Sequence, residues 1–381
     1  MPTRARPRAR QAKAAPAVRP VSKPARPDVE LLRVLSNAAA VSGDEGAVRR
    51  MVLEAIRPHV DEVKVDALGN VLAVKRAARR RAAPRLLLAA HMDEVGFMIV
   101  DHDTDGSLRF EVVGGVSERV LLGKAVLVGP RRLPGVIGAA PVHLLGSERL
   151  EMVVRPGQMR IDIGAGNQDA ARRQAAVGER ATFATEFAVL EAGEGGAMAL
   201  RGKALDDRLG CASLIGLLRG GPYPVELHAA FTVQEEVGLR GARVAGYAVE
   251  PQAAIALDCT PANDLPDSRG RENTQYNARL GQGPVIYLAD ARTISDRRLV
   301  DYLRRLAEDA HLPYQIRQPG GGGTDAGAIQ QTRAGVPVVS VSVPARYLHS
   351  PAALARTADW ENSFRLLTLA LERYDARVLK R

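Results

Sequence analysis

The spacing of apolar residues divides the chain into three stretches with different patterns. In the first stretch, up to about residue 91, apolar residues recur at helical spacing and further on at every second position. The turn Leu68-Gly69-Asn70 between two alternating runs is typical of a β-hairpin. The pattern predicts a helix from residue 28, a second helix over 45–56, hairpin strands at 63–66 and 71–74, and an apolar strand at 86–90.

The second stretch, residues 92–186, consists of short alternating runs separated by glycine. Runs such as 96–100, 108–113 and 125–128 predict a small β-rich domain, of barrel or PDZ-like type. Because this stretch interrupts the surrounding pattern, we expect it to be an inserted domain.

The third stretch, residues 187–381, alternates strands and helices. The predicted elements are a helix at 207–219, strands at 226–233 and 253–258, helices at 294–310 and 324–334, a strand at 337–343 and a helix at 359–374. Such alternation implies a layered α/β/α domain around a mixed sheet, and residues 28–91 are expected to belong to it. Ligands of such sheets bind beyond the carboxyl ends of the strands.

Composition gives the chain the balance of a soluble globular protein, with 46% hydrophobic and 25% charged residues among 381. No apolar run approaches the roughly 18 residues that a membrane-spanning helix needs. The net charge of +10 is concentrated in residues 1–27, which hold eight basic residues, six prolines and no acid. This segment is predicted to be a disordered tail, and the nearly neutral remainder argues against a nucleic-acid partner.

Two cysteines, Cys211 and Cys259, are too few for a disulfide framework. Cys259 directly follows a candidate ligand, so thiolate ligation is conceivable. Buried reduced thiols are the preferred interpretation, and they favour a cytoplasmic location.

Polar side chains capable of binding metal stand where predicted elements begin or end. Two adjacent carboxylates, such as Glu235 and Glu236, repel each other and therefore need a cation or a raised pKa when buried. Taken singly, a strand-end aspartate is also explained as a turn residue, and Asp207 as a helix N-cap. The candidates are His91, Asp93, Asp206, Asp207, Glu235, Glu236, Asp258 and His349.

Other histidines favour structural interpretations. His228 lies inside an apolar strand and is expected to be a satisfied core residue, and His143 is expected to be structural. His102, in an acidic loop over 101–105, is predicted to be a solvated hairpin tip rather than a ligand. The glycine run 320–323 lacks the ending of a phosphate-binding loop and is more consistent with close backbone approach to a substrate.

The whole chain from about residue 28 resembles the M42 family of metallo-aminopeptidases, which includes the tetrahedral (TET) and glutamyl aminopeptidases. Any one matching segment is weak evidence, whereas together and in family order they are specific. The matching segments are residues 90–97, 203–211, 234–241, 256–258, 323–326 and 346–351.

The resemblance implies an enzyme that removes N-terminal residues from peptides and binds two divalent metal ions. Zinc is the expected metal, with cobalt or manganese as alternatives. It makes Glu235 the general base and Asp93 the residue that orients His91. It also implies a dimerising insert and dimers assembled into a tetrahedral dodecamer. The implied ligands are His91 and Asp258 for one ion, Glu236 and His349 for the other, and Asp206 as the bridge.

Two other classes of function remain open from the sequence. A glycoside hydrolase, a label that members of this family have carried, needs two carboxylates but no histidine, so His91 and His349 disfavour it. A binding or scaffold protein that uses the basic tail should have lost at least one ligand position, and here all are filled.

Because residues alternate between the faces of a strand, Glu235 and Glu236 are expected to point in opposite directions. The sequence does not predict which N-terminal residue of a peptide substrate the enzyme prefers.

Overall fold

A computed structural model describes residues 27–78, 83–141, 153–191, 198–266, 269–270 and 278–380. The predicted disordered tail, apart from Pro27, and His143 lie outside the described residues. The described helices are α1 (Val29–Asn37), α2 (Gly46–Ile56), α3 (Gln168–Gln174), α4 (Leu205–Arg219), α5 (Arg240–Val249), α6 (Arg297–Asp309), α7 (Asp325–Gln330) and α8 (Thr357–Arg373).

The strands form two separate sheets. Those of the main sheet are β1 (Glu62–Val65), β2 (Val71–Lys75), β3 (Arg85–His91), β10 (Ala188–Leu190), β11 (Ala199–Gly202), β12 (Glu226–Thr232), β13 (Ala253–Pro261), β14 (Val285–Tyr287), β15 (Gln315–Arg317), β16 (Val338–Arg346) and β17 (Ala353–Arg356). Those of the second sheet are β4 (Gly96–His102), β5 (Leu108–Val113), β6 (Ala125–Val128), β7 (Leu133–Gly138), β8 (Arg160–Asp162) and β9 (Arg180–Phe183).

The main sheet is mixed, as the sequence predicts. Strands β12, β3, β13 and β16 are parallel neighbours at its centre, and antiparallel strands flank them on both sides. The predicted hairpin is confirmed, with Val65 opposite Val71 across β1 and β2. Strands β14 and β15 are parallel to each other and join through β14 to β16.

Helices cover both faces of the main sheet. In β3, Leu86 and Leu88 belong to the core cluster that includes α1, α2, α4 and α8, whereas Leu87 and Ala89 pack on the opposite face against α5 and α7. Central parallel strands that are buried on both faces consist of consecutive apolar residues, as residues 86–90 do. The predicted α/β/α class is therefore confirmed.

The second sheet closes into a barrel in the order β4-β5-β8-β7-β6-β9. Its interior is apolar, and Phe97 makes edge-to-face contacts with Phe110 and Phe183 at centroid distances of 5.1 and 5.3 Å. All barrel strands lie between residues 96 and 183, inside the stretch where the pattern changes. The barrel also carries helix α3, which the alternating pattern does not predict.

A buried ion pair joins the barrel to the main sheet. Glu94, just before β4, accepts hydrogen bonds from Lys203 Nζ on both carboxylate oxygens at 2.8 and 2.9 Å. It also accepts from Thr182 Oγ1 of β9 at 2.9 Å and from the backbone N–H of Ala40 at 2.9 Å. Burial opposes the charge of Glu94, but the nearby Lys203 and Arg208 cations lower its pKa. The carboxylate is thus fully partnered.

Most differences from the predicted elements lie at element ends, but several short elements were missed. Helix α5 is absent from the prediction, as are the short strands β10, β11, β14, β15 and β17. Two glycines weaken the helical pattern of α5, and strands of three or four residues are too short for a pattern to emerge. Within the described parts of the chain, no helix is long and apolar enough to cross a membrane.

Candidate metal centre

The candidate ligands converge at the carboxyl ends of the central parallel strands. His91 ends β3, Asp258 lies in the carboxyl-terminal half of β13, and Glu235 and Glu236 lie in the turn after β12. These side chains line a cavity of about 770 Å³. The glycine run borders the same cavity through residues 321–323, as expected for a loop beside a substrate.

His91 is buried, with its two ring nitrogens facing different partners. Nδ1 lies 3.2 Å from the carbonyl oxygen of Asp93 and 3.6 Å from its carboxylate. Nε2 lies 3.1 Å from Oδ1 of Asp206 and 3.9 Å from Oδ1 of Asp258. Asp93 is thus placed to hold the proton on Nδ1 and leave Nε2 facing the cavity as a ligand atom.

Asp206 lies between the two candidate histidine ligands. Its Oδ1 faces His91, and its Oδ2 lies 3.5 Å from Nε2 of His349. Burial raises the pKa of Asp206, but hydrogen bonds with His349 and His91 outweigh this and hold the pKa below its ordinary value. The carboxylate of Asp206 therefore directs one oxygen at each of the two histidines.

His349 reaches the site from the loop after β16, which continues to Arg346 rather than ending at residue 343. Its Nε2 lies 3.3 Å from Oε2 of Glu236, and its Nδ1 lies 2.9 Å from the carbonyl oxygen of Gly115. Burial lowers the pKa of His349, yet Asp206 and Glu236 raise it to about 9. Gly115 follows β5, so the segment that forms the barrel supplies a partner to this ring.

The expectation that Glu235 and Glu236 point to opposite faces of a strand is wrong. Strand β12 ends at Thr232, and Gln234 has a φ of 55°, so both glutamates lie in a turn and both line the cavity. Their backbone N–H groups donate to the two carboxylate oxygens of Asp93, at 3.0 and 3.2 Å. The turn is thus anchored to the strand that carries His91.

Buried carboxylates crowd the site and shift one another's pKa values. Burial raises the pKa of Glu235 well above its ordinary value and that of Glu236 to about 7, despite nearby histidines. Burial and the neighbouring Asp206 raise the pKa of Asp258 in the same way. Carboxyl groups packed this closely disfavour one another's ionisation, and cations between them stabilise the charged carboxylate form.

The donor set suits divalent ions. Ligand atoms of His91, Asp206 and Glu236 lie within 4.8 Å of one another, and Asp258 and His349 flank them. Imidazole and carboxylate donors fit zinc, cobalt or manganese. The residues present therefore fit the metal that the sequence predicts.

Asp207 and Cys259 lie just outside this set, within 4.8 Å of the ligand atoms of Asp206. Asp207 lies inside the first turn of α4 with non-helical backbone angles, and its Oδ1 accepts from the backbone N–H of Gly210 at 2.9 Å, as an N-cap side chain does. The thiol of Cys259 is buried, its pKa is raised by burial, and it faces the carbonyl oxygen of Leu205 at 3.4 Å, as expected of a reduced structural thiol.

The structure corrects one of the other histidine predictions. His102 is buried at the end of β4, with Nε2 2.7 Å from the carbonyl oxygen of Ala175, so it is not a solvated hairpin tip. In its loop, Asp103 pairs with Arg109 and Arg160. His228 is partly buried and satisfied by Glu226 at 2.8 Å, in agreement with its structural interpretation.

Sequence reasoning missed several residues of the site. Ser42 donates to Asp93 at 2.6 Å, and Asp325 accepts from Thr232 at 2.5 Å. Tyr287 and Arg317, from β14 and β15, line the cavity wall. The segment 323–326 matches the family and contains Asp325, but no spacing rule links the other residues to the site.

A mixed α/β/α sheet with imidazole and carboxylate donors at its strand ends has the features of a metal-dependent enzyme. Comparison with known proteins specifies the family. The sequence pattern of the M42 glutamyl aminopeptidase family matches residues 69–366, and the chain belongs to this family. It is therefore a peptide hydrolase of the aminopeptidase class.

Individual relatives match along nearly their whole length. A lysyl aminopeptidase of Pyrococcus furiosus is 33% identical over 358 residues, which cover 91% of this chain and 97% of the relative. The crystal structure of a TET aminopeptidase from a marine-sediment thaumarchaeon is 34% identical, with a TM-score of 0.85 and coverage of 92% and 98%. The TET1 peptidase of Pyrococcus horikoshii, which can assemble into a tetrahedron or a large octahedral shell, is 32% identical, with a TM-score of 0.79 and coverage of 91% and 99%.

Proposed function

We propose that the protein is an aminopeptidase that binds two divalent metal ions. His91 and Asp258 would hold one ion, His349 and Glu236 the other, and Asp206 would bridge them. The observation that carries this proposal is the position of Asp206, whose two oxygens lie 3.1 and 3.5 Å from the two histidines. A bridging carboxylate needs this arrangement, whereas an ordinary ion pair with one histidine does not.

Glu235 is the proposed general base. It lines the cavity but forms no ion pair with His91 or His349 in the described structure, so its carboxylate is free to accept a proton from the attacking water. It can then deliver that proton to the leaving amide nitrogen. Burial raises the pKa of Glu235, and cations beside it would favour the carboxylate form that a general base needs. Bound divalent ions would supply the electrophile for the peptide carbonyl and acidify the water.

Asp93 is the proposed positioning residue. It faces Nδ1 of His91 and accepts the backbone N–H groups of both glutamates, so it sets the tautomer of one ligand and the placement of the base. Its pKa is lowered because the contacts with His91 and Ser42 outweigh burial. An ionised Asp93 strengthens the donor character of His91.

The barrel is proposed to mediate dimerisation, with dimers assembling into a closed particle. The proposal is supported by the TET1 peptidase, which forms tetrahedral or octahedral shells and matches this chain over its length. Within such a particle only short or unfolded peptides would reach the cavity. The two buried, unpaired cysteines are in keeping with the reducing cytoplasm.

Metal removal and replacement test the proposed function. The full-length protein is treated with a chelator, dialysed, and assayed on a panel of amino-acid p-nitroanilides after zinc, cobalt or manganese is restored in turn. Activity should disappear with the metal and return with at least one ion, at two ions per chain. Full activity in protein shown by elemental analysis to hold no metal would overturn the proposal.

A further inference from the structure

Arg317 places a buried guanidinium in the wall of the active-site cavity. It ends strand β15 and is 5% exposed, and it lines the same cavity as His91, Glu235 and Asp258. An arginine is rarely this buried unless a carboxylate or another anion compensates its charge.

Neighbouring groups hold the guanidinium in place. It stacks over the ring of Tyr287, 4.4 Å from the ring centroid, and its Nη2 donates to the carbonyl oxygen of Gly321 at 2.6 Å. Tyr287 and Arg317 are register partners in the parallel pair β14 and β15. The planar donor fork is therefore fixed before any ligand arrives, which favours binding of a carboxylate.

The charge of Arg317 has no counter-ion in the described parts of the chain. Arg317 forms no ion pair there, and its buried Nε has no hydrogen-bond partner. Asp206, Asp258 and Glu236 face His91 or His349 instead, and under the proposed function they bind the metal ions. Arg317 is thus left as a positioned, uncompensated cation facing the space that a substrate enters.

We propose that Arg317 binds a carboxylate of the peptide substrate and sets the preference of the enzyme. This inference rests on the proposed function, because it assumes that peptides bind in this cavity. The carboxylate can come from an acidic N-terminal side chain or from the C-terminus of a dipeptide. The two sources share their chemistry and are separated by the substrates of the test.

The test compares substrates that differ only in charge. Metal-restored protein is assayed on glutamyl and glutaminyl p-nitroanilide, which have no C-terminal carboxylate, and on leucyl-glycine and its C-terminal amide. In each pair, kcat/KM is expressed as the ratio of the charged to the uncharged substrate. A variant that is partly unfolded loses both rates together, so the ratio reports recognition alone.

One of these ratios should exceed about tenfold in the wild-type protein and collapse towards one in Arg317→Met, as expected when one partner of a buried charge pair is removed. Arg317→Lys should recover only part of the ratio, because a lysine keeps the charge but not the donor fork. Arg292→Met is the matched control, since Arg292 lines the same cavity but is exposed, and it should change the ratio much less.

Two results would overturn the inference while leaving the proposed function intact: ratios near one in the active wild-type protein, or ratios that Arg317→Met leaves unchanged. An equal effect of Arg292→Met would assign the preference to general charge and also overturn it. Absence of hydrolysis of every substrate after metal restoration would instead reject the proposed function, and the inference with it.

Discussion

The carboxylate of Asp93 accepts a hydrogen bond from the backbone N–H of Glu235 at 3.0 Å. Its second oxygen accepts from the N–H of Glu236, and the same side chain faces Nδ1 of His91. A single buried carboxylate therefore aligns groups from β3 and from the turn after β12. The geometry of the site depends on this residue although its carboxylate faces away from Nε2 of His91.

Asp93→Asn should weaken metal binding without removing a ligand. The amide can accept at only one of its two positions, so one glutamate N–H loses its partner, and the charge beside His91 is lost. Changes of this kind typically cost 10–100-fold in metal affinity. Titration with zinc in a competing chelator measures the loss. Asp44→Asn, at an exposed position two residues after Ser42, should bind zinc as the wild type does, and equal affinities of all three proteins would contradict the role of Asp93.

Glu235→Gln and Glu236→Gln should fail in different ways although both glutamates lie in one turn. Glu235→Gln cannot accept the proton of water, so kcat should fall by roughly 10²–10⁴ while two metal ions remain bound. Glu236→Gln replaces an anionic ligand oxygen with a neutral amide and should weaken or lose one ion. Metal analysis of both variants, together with kcat, decides the assignment. Loss of metal in Glu235→Gln alone would reverse the two roles.

Glu94→Gln should destabilise the fold strongly. Lys203 and Glu94 are each 2% exposed, and removal of one partner leaves the other charge buried, which costs about 3–5 kcal/mol. Chemical denaturation of the metal-restored protein measures the change. The matched control is Glu62→Gln, which breaks the exposed pair with Arg76 and should leave the unfolding midpoint nearly unchanged. Similar midpoints for the two variants would show that the buried pair contributes little.

The same pair predicts a loss of stability in acid. The pKa of Glu94 is lowered in the fold, so its contribution is fully present above its unfolded pKa of about 4.5 and is lost as pH falls through the folded value. The free energy of unfolding should therefore decrease more steeply below about pH 4.5 in the wild type than in Glu94→Gln. Parallel curves for the two proteins between pH 5 and 3 would contradict this.

The purified protein should be an assembly rather than a monomer. If the barrel forms a dimer interface and dimers close into a particle, light scattering at micromolar concentration should give a mass several times the 40.8 kDa of one chain. A mass equal to one chain under these conditions would reject the proposed assembly without affecting the catalytic proposal.

The sequence predicts the frame of this molecule better than its short elements. The central strands are long apolar runs with polar residues directly after them, so both the sheet and the convergence of His91, Asp258 and the two glutamates were predictable. Helix α5 was not, because Gly241 and Gly246 reduce its helical propensity. A Cβ at Gly241 would come within 2.3 Å of Asn70 Oδ1, so tertiary packing requires this glycine.

Residues brought together by short strands were also beyond prediction. Arg317 and Tyr287 are 30 positions apart on strands of three residues, and only their parallel pairing brings them to one wall. The orientation of Glu235 and Glu236 was mispredicted because the strand ends at Thr232 and the backbone turns at Gln234. A residue with a left-handed backbone conformation, such as Gln234, does not alter the spacing of apolar residues and cannot be predicted from it.

The carbonyl oxygen of Gly115, which lies 2.9 Å from Nδ1 of His349, has a consequence for protein engineering. Gly115 lies in the segment that forms the barrel, so exchanging or deleting that segment would remove the group that orients a proposed ligand. It would also remove Thr182 from the carboxylate of Glu94. The barrel is therefore not freely exchangeable, because a chimaera with a barrel from another protein needs a carbonyl acceptor at the position of Gly115 to retain the proposed metal centre.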